Sequence, residues 1–276
     1  MVHLKSNREI ALMRQAGLAV WQAHQIAAPM VAPGMTTRRI DAAIEQYFTG
    51  IGATPLFKNY PNNLDRKPPF PAVTCMSVNE AVVHGIPNDV PLKEGDIVSI
   101  DTGCRLAGWC GDSAWTYPVG RVAPEVQRLL EATEGVLHLA LELMGVRSYW
   151  SAVAREMADY VRDHGFSTVE CFVGHGIGRE MHEDPQVPNF PSRSLRGRGD
   201  FRLEPGLVIA VEPMVNMGSK LVRLLPDDWT QVTADGQPSA HFEHTIAMTS
   251  DGPRALTARP TAAERAEMVG QAPEGA

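Results

Sequence analysis

The sequence predicts an α+β fold in which one unit of helices and strands is used twice. The predicted order is two helices, a group of strands, two more helices and a second group of strands. The stretches EGDIVSID and EPGLVIAVE each end an apolar run on an acid, Asp101 or Glu212, six residues after a glycine. Each half also contains an HGI tripeptide, at 84–86 and at 175–177. This matching order predicts a duplicated domain with the acids at equivalent strand positions.

The individual elements follow from capping signals and from the spacing of apolar residues. A capping box at Ser6 begins a helix that runs to about Ala28, and a threonine at 36 or 37 caps a second helix ending near Phe48. The proline- and asparagine-rich stretch 52–71 predicts a long loop. Two further helices are predicted at about 125–143 and 151–163. Strands are predicted at about 70–77, 96–102, 112–118, 168–173, 207–213, 220–225 and 240–248.

The composition limits the class of protein. The chain has 276 residues, of which 44% are hydrophobic and 21% charged, as in a globular protein that buries a large core. A net charge of -7 argues against a nucleic-acid binder held by phosphate contacts. No apolar run approaches the roughly 20 residues that span a bilayer, and the N-terminus lacks a signal-peptide pattern. Four scattered cysteines suit a reducing compartment, so we expect a cytoplasmic protein without membrane contact.

Four acids lie in or at the end of apolar strands: Asp101, Asp112, Glu212 and Glu243. A buried carboxylate needs a strong partner, and for any single acid an arginine or a turn would serve. Four such acids together with the glycine-flanked His175 suit a pair of divalent metals about 3.5–4 Å apart. The eleven-residue interval between Asp101 and Asp112 fits a hairpin with one ligand on each arm. Spacing alone leaves the dinuclear site and the structural alternative equally open.

The stretch GHGIGREMHEDP contains two histidines, His175 and His182, seven residues apart. A helix would separate them by about 10.5 Å, and a strand would point them to opposite faces. Three glycines also argue against a helix. The pattern predicts two histidines with different tasks around one site and a turn between them. An ordinary loop histidine is an equal alternative for His182, and likewise for His84.

Six motifs in order, VNEAVVHGIP, DIVSID, GDS, GHGIGREMHEDP, VEPM and EHTI, resemble the type I methionine aminopeptidases over about 5–258. These enzymes belong to the pita-bread family, which also includes the Xaa-Pro peptidases. The resemblance implies two pseudo-symmetric αα-β halves that form a curved antiparallel sheet with helices on its outer face. It implies one catalytic domain over 1–258, with halves of about 1–120 and 121–258. The remainder, 259–276, is rich in Ala, Pro, Glu and Gly and is predicted to be a flexible tail.

The resemblance also implies a set of metal ligands. Asp112 and Glu243 would bridge two divalent ions, His175 and Glu212 would complete one site, and Asp101 would bind the second ion. The choice among Co, Mn, Fe, Zn and Mg is open. A metal-held water with a lowered pKa would then hydrolyse the peptide.

By the same resemblance, three residues act on the substrate. His182 would donate a hydrogen bond to the substrate carbonyl, and His84 would lie near the scissile nitrogen. Glu212 would carry a proton from the water to the leaving amine.

The family spacing further assigns a methionine pocket to four residues: Phe70, Cys75, Met181 and Trp229. An apolar pocket with an aromatic wall suits a soft, unbranched thioether, although plain core packing is an equal alternative for each residue. Phe70 replaces a usual tyrosine, and Met181 replaces a usual phenylalanine. Trp115 is bulky where a small residue is common. With the long loop at 58–69, these departures leave a paralogue with altered preference open.

The implied function is removal of the initiator methionine from nascent polypeptides when the second residue is small. We expect a monomer whose substrates are peptide N-termini, with the ribosome as a candidate place of encounter. One alternative is an Xaa-Pro peptidase, a class in which most members carry an additional N-terminal domain. Another is a non-catalytic pita-bread binding module, a class that usually loses metal ligands.

Overall fold

The computed structural model describes residues 2–62, 64, 66–262 and 264–265, with the side chain of Arg198 excepted. Within these residues the α-helices are α1 (Asn7–Ala27), α2 (Thr37–Gly50), α3 (Pro124–Met144) and α4 (Trp150–Asp163). The strands before α3 are β1 (Thr54–Pro55), β2 (Thr74–Val78), β3 (Ala81–Val83), β4 (Ile97–Leu106) and β5 (Trp109–Pro118). The strands after α4 are β6 (Ser167–Thr168), β7 (Gly174–Gly176), β8 (Glu183–Val187), β9 (Val208–Val211), β10 (Met214–Asn216), β11 (Val222–Leu224), β12 (Gln231–Thr233), β13 (Ser239–His241), β14 (His244–Thr249) and β15 (Gly252–Ala255).

The predicted helices are present, with ends that follow local signals. The Ser6 side chain accepts a hydrogen bond from the Glu9 amide, and the Glu9 side chain closes the capping box of α1. Pro124 stands in the first turn of α3, where its missing N–H costs nothing. The prediction of two helix pairs is therefore confirmed.

Every strand pairing within the described residues is antiparallel. One sheet has the order β1-β4-β2, with β5 also paired to β4, and a second has the order β15-β14-β9-β7-β8. There are also two three-stranded sheets, β13-β10-β6 and β11-β12-β3. The pairing of β12 with β3 joins an early strand to a late one, so the two strand groups are interlocked.

Each helix pair has its own apolar core against strands. Helices α1 and α2 bury Val20, Ile44 and Phe48 against residues of β2 and β4. Helices α3 and α4 bury residues such as Leu137 and Trp150 against β9, β10, β13 and β14. Burial of this apolar surface is the main force that holds the helices on the sheets.

Several strand predictions were wrong in extent. No strand covers residues 70–73, because prolines at 68, 69 and 71 remove backbone donors and β2 begins only at Thr74. The segment predicted at 168–173 is mostly not a strand, and pairing resumes at β7. Strand β4 continues four residues past its predicted end, to Leu106, so Asp101 lies inside the strand.

The predicted strand at 240–248 is divided between β13 and β14. Phe242 and Glu243 stand between them, and the Glu243 amide donates to the Ala114 carbonyl of β5 instead of continuing a ladder (2.8 Å). This break turns the chain from one sheet into another beside β5.

The end of the described chain contacts the first helix. Glu264 forms an ion pair with Arg14, whose Nε lies 2.9 Å from Oε1 of Glu264. Residues 263 and 266–276 of the predicted flexible tail lie outside the described residues, so the flexibility of that tail stays a prediction. Across the part of the chain that is described, no helix is long and apolar enough to cross a membrane.

Candidate metal centre and substrate pocket

The hairpin of β4 and β5 presents two acids on one face. Asp101 is paired with Ala114, and Gly103 with Asp112, so the two acids stand on a diagonal of adjacent strands. A Cβ added at Gly103 would lie 2.8 Å from Oδ1 of Asp112, so glycine at 103 leaves space for that carboxylate. The predicted hairpin with one acid on each arm is therefore present.

Two further acids reach the same place from the second half of the chain. Glu212 follows β9 directly, and Glu243 immediately precedes β14, which pairs with β9. The Ser113 hydroxyl donates to the Glu243 carbonyl (2.6 Å), and Thr245 exchanges hydrogen bonds with the Asp112 backbone. These contacts dock the break between β13 and β14 onto β5 and bring the acids together.

His175 lies in β7, at a β-bulge, with its ring orientation set by the backbone. Its Nδ1 is 2.9 Å from the Gly176 carbonyl, so Nδ1 carries the proton and Nε2 is left as a free nitrogen ligand. Nε2 lies 3.6 Å from Oε1 of Glu212. Asp112, His175 and Glu243 each offer a ligand atom, and these atoms lie within 4.8 Å of one another.

The donor set fits a divalent cation. Among the described residues, Oδ1 of Asp101, Oδ1 of Asp112 and Oε1 of Glu243 are buried without a hydrogen-bond partner. Such orphaned carboxylate oxygens are costly unless a cation satisfies them. A set of several carboxylates and one imidazole is the ligand type that divalent metals take.

The pKa values of the four acids also indicate a site that fits a divalent cation. Burial, followed by the charges of neighbouring acids, raises the pKa values of Asp101, Glu212 and Glu243 well above the usual range. Burial also raises the pKa of Asp112 to about 7. Four clustered acids therefore resist ionisation on their own, whereas a divalent cation among them would favour the carboxylate forms.

The hairpin of β7 and β8 explains how two histidines seven residues apart share one site. His175 lies in β7 and His182 stands immediately before β8, so the turn between them brings the rings edge to face, with centroids 4.4 Å apart. A Cβ at Gly176 would lie 2.1 Å from the Asp184 carbonyl oxygen, so only glycine permits this close pairing. The expected turn between two histidines is present.

His182 has a hydroxyl partner that was not predicted from the sequence. The Tyr60 hydroxyl lies 2.7 Å from Nδ1 of His182. Partial burial raises the pKa of Tyr60, so its O–H stays protonated and can donate. Desolvation lowers the pKa of His182, which keeps the ring neutral. A neutral ring that accepts at Nδ1 carries its proton on Nε2, where it can donate to a substrate oxygen.

His84 follows β3 in the left-handed region, with φ 59°. A Cβ at Gly85 would lie 2.2 Å from the Met76 carbonyl oxygen, so the HGI turn is pressed against β2. Non-glycine residues with positive φ store strain and are concentrated at functional sites. Burial, and then the charge of His182, lowers the pKa of His84 to about 4.

One cavity of about 290 Å³ unites all of these groups. Every site residue named from the sequence lines it: Phe70, Cys75, His84, Asp101, Asp112, His175, Met181, His182, Glu212, Trp229 and Glu243. Further lining residues were not predicted from the sequence: Phe57, Tyr60, Val83, Phe172, Val173, Met214 and His241.

The apolar wall of the cavity is a small cluster of its own. Phe70, Cys75 and Met181 are buried in it, and the Trp229 ring meets Phe70 edge to face at 5.2 Å. Burial raises the pKa of the Cys75 thiol, which stays neutral. Trp115, by contrast, packs on Phe242 with ring centroids 4.8 Å apart and does not line the cavity.

Among the lining residues that were not predicted from the sequence, His241 lies next to a proposed metal ligand. Its Nε2 lies 3.7 Å from Oε2 of Glu212, and burial lowers its pKa to about 3. Glu243 lies two positions after His241, a spacing that could have indicated a shared face of a strand.

A family model and curated relatives both match most of this chain. Residues 11–250 match the model of metallopeptidase family M24, and the chain belongs to this family. The chain is 43% identical to methionine aminopeptidase 1 of Bacillus subtilis (strain 168), over 93% of this chain and 99% of the relative. It is 45% identical to the methionine aminopeptidase of Clostridium perfringens, with the same coverage of both. The resemblance to methionine aminopeptidases is thereby confirmed.

Solved structures of methionine aminopeptidases have the same fold as this chain. The methionine aminopeptidase from Rickettsia prowazekii has a TM-score of 0.86 at 34% identity, and the match covers 94% of this chain and 100% of that one. A prolidase from Pyrococcus furiosus has a TM-score of 0.71 at 19% identity, a likeness that shows the fold alone. The α+β pita-bread fold is confirmed, and family membership together with the acid–histidine cluster indicates divalent-metal binding.

Proposed function

We propose that this chain is a metal-dependent aminopeptidase that removes the initiator methionine from polypeptides whose second residue is small. The observation that carries the proposal is the joining, in one cavity, of the acid and histidine cluster to the apolar wall of Phe70, Cys75, Met181 and Trp229. An unbranched thioether suits such a wall. The relatives named methionine aminopeptidase support the same activity.

Five residues would hold the metal: Asp101, Asp112, His175, Glu212 and Glu243. In line with the family resemblance, we propose that these residues would hold two divalent ions, and that Asp112, His175 and Glu243, whose ligand atoms lie within 4.8 Å of one another, would form the centre of the ligand set. When bound, divalent ions supply a Lewis acid and lower the pKa of water towards about 7.

The protein's own groups would perform the remaining steps. His182, held by Tyr60, donates from Nε2 to the carbonyl oxygen as negative charge develops there. His84 lies on the cavity wall and orients the scissile nitrogen. Glu212 accepts the proton of the attacking water and returns it to the leaving amine. Its two oxygens lie 3.6 Å from Nε2 of His175 and 3.7 Å from Nε2 of His241.

The setting of the reaction is part of the proposal. Residues 1–258 act as a single catalytic domain with halves at about 1–120 and 121–258, and the protein is a cytoplasmic monomer. Its partners are the N-termini of nascent polypeptides, met at the ribosome, and it needs neither a specific nucleic acid nor a membrane. The net charge of -7 supports the absence of phosphate-backbone binding.

The test compares hydrolysis of Met-Ala-Ser and Ala-Pro-Ser by metal-depleted protein after addition of Mn, Co, Fe, Zn or Mg. Asp101→Asn tests the ligand set, and Asp89→Asn, an exposed acid paired with Arg38, is the matched control. We expect metal-dependent release of methionine by the wild type and the control, and a loss of at least about 100-fold in Asp101→Asn.

Faster cleavage of the proline peptide would identify an Xaa-Pro peptidase instead. No hydrolysis with any of the metals would identify a binding module. Full activity of Asp101→Asn would overturn the two-ion ligand set.

A further inference from the structure

Lys5 is a buried lysine for which the fold alone gives no reason. The residue is only 8% exposed, although lysine is rarely buried unless it is paired. Its Nζ donates to Oε2 of Glu183 at 2.8 Å, across 178 positions of the sequence. Glu183 is the residue after His182 and the first residue of β8. The N-terminal segment therefore contacts the loop that carries His182, the proposed hydrogen-bond donor to the substrate carbonyl.

Glu183 uses its second oxygen to shape that loop. Oε1 accepts the backbone amides of Arg179 (2.8 Å) and Glu180 (3.2 Å). The carboxylate thus ties the middle of the turn between the two histidines to its end, while Lys5 holds the other oxygen. A carboxylate with charge-assisted partners on both oxygens has few alternative positions.

The ion pair between Lys5 and Glu183 is also closely packed by its surroundings. A Cβ added at Gly178 would lie 2.6 Å from Oε1 of Glu183 and 2.8 Å from Cε of Lys5, so the glycine leaves just enough space for the pair. The Lys5 amide also donates to the Gly206 carbonyl at 2.7 Å, close before β9. Lys5 is therefore fixed at both its backbone and its ammonium group.

Helix α1 connects this anchor to the acid hairpin. The helix begins directly after Lys5, with its cap at Ser6, and packs on β5 so closely that a Cβ at Gly111 would lie 2.8 Å from the Gly17 amide nitrogen. Gly111 precedes Asp112. The position of Lys5 is thereby set relative to the metal-binding acids, and Glu183 transmits that position to His182.

We propose that Lys5 is a positioning residue for catalysis, which acts through Glu183 to hold His182 at the correct distance from the metal centre. The inference rests on the proposed function, in which His182 donates to the substrate carbonyl. Small displacements of such a donor cost large factors in rate, because its hydrogen bond strengthens only as charge develops on the oxygen.

The test is Lys5→Met, which keeps an unbranched apolar stem and removes the charge. We expect kcat on Met-Ala-Ser to fall at least about tenfold, KM to change less than about threefold, and Mn(II) affinity by calorimetry to change less than about twofold. Amide hydrogen exchange in 178–183 should accelerate at least about tenfold, with α1 and β5 unchanged. Lys220→Met removes an exposed lysine paired with Glu170 and is the matched control, with no change expected.

Glu183→Gln, alone and combined with Lys5→Met in a double variant, tests whether Lys5 acts on His182 through Glu183. The introduced amide would still offer an oxygen to the two backbone N–H groups, so the single variant should fold even if Lys5→Met does not. If Lys5 acts through Glu183, the double variant has the kcat of Lys5→Met; multiplied losses in kcat would overturn the route.

Two further results would overturn the inference: an unchanged kcat in Lys5→Met, or a fall in kcat matched by lost Mn(II) affinity. A wild type that does not cleave methionine peptides would instead overturn the proposed function. Hydrogen exchange in 178–183 would then still decide whether Lys5 holds the loop.

Discussion

The rings of His175 and His182 meet edge to face with centroids 4.4 Å apart. At this distance two imidazolium rings would repel each other, and burial together with the charge of His182 lowers the pKa of His175 to about 3. Both rings are therefore neutral at physiological pH. One presents a bare nitrogen to the acid cluster and the other a nitrogen that can donate, so one hairpin supplies both an electron-pair donor and a proton donor.

Removal of the Tyr60 hydroxyl should weaken catalysis more than binding. Tyr60→Phe deletes the O–H at 2.7 Å from Nδ1 of His182, so the ring can take either tautomer and loses its orientation. We expect kcat on Met-Ala-Ser to fall about tenfold with KM nearly unchanged, compared with a loss of about 10²–10³-fold for His182→Ala. Steady-state kinetics of both variants provide the measurement.

The matched control is Tyr117→Phe. Tyr117 makes the same type of hydrogen bond to Nδ1 of His24, at 3.1 Å, but does not line the cavity. This variant should lose about 1 kcal/mol of unfolding free energy and keep its kcat. Equal kinetic effects in the two variants would mean that the Tyr60 contact serves only stability.

Metal binding should stabilise the wild type and not Asp112→Asn. A ligand at about 100 times its Kd adds about 2.7 kcal/mol to the unfolding free energy, and Asp112 contributes to the tightest ligand group. Thermal melts in chelator and in excess Mn(II) should therefore show a rise in Tm for the wild type and for Glu170→Gln, an exposed control. A similar rise in Asp112→Asn would remove Asp112 from the ligand set.

The metal-free protein should gain stability from Asp112→Asn, and the gain should grow with pH. Burial raises the folded pKa of Asp112 to about 7, whereas the unfolded value is about 3.9. Between these values the unfolded chain releases a proton that the folded protein retains, so this carboxyl destabilises the fold increasingly as pH rises. Below about pH 4 both states are protonated and the effect vanishes.

Urea unfolding in chelator from about pH 4.5 to 8 measures this difference. The advantage of Asp112→Asn over the wild type should increase by at least about 1 kcal/mol and level off above about pH 7. Histidines with lowered pKa values, such as His84 at about 4, act in the opposite direction, but both proteins share them. A difference independent of pH would show that Asp112 ionises normally in the fold.

Trp229→Ala should weaken substrate binding rather than chemistry. The variant removes the edge-to-face contact with Phe70 at 5.2 Å and the hydrogen bond from Nε1 to the Pro68 carbonyl at 3.1 Å. The loss of this wall should raise KM for Met-Ala-Ser about tenfold and lower kcat less than about threefold. Trp115→Ala, outside the cavity, should lower Tm and leave KM unchanged. A tenfold fall in kcat with unchanged KM would remove Trp229 from the pocket wall.

Much of this site could be predicted because its residues lie in short sequence patterns that can be recognised locally. The capping box of α1, the acids that interrupt apolar strands and the glycines beside His84 and His175 can all be recognised within a few residues. The family motifs then combined these local signals into one proposed ligand set. Strand ends were less predictable, because proline positions and the docking of Glu243 on β5 override β-propensity.

The sequence by itself determined the residue types of the proposed metal centre, the helix pairs and the family. Only the tertiary structure decided that Tyr60 holds His182 from 122 positions away, that His241 faces Glu212, and that Lys5 holds Glu183. Periodicity and capping report on neighbours along the chain. Contacts across such distances depend instead on how the long 58–69 loop, the N-terminal segment and the strands pack together, which no local pattern encodes.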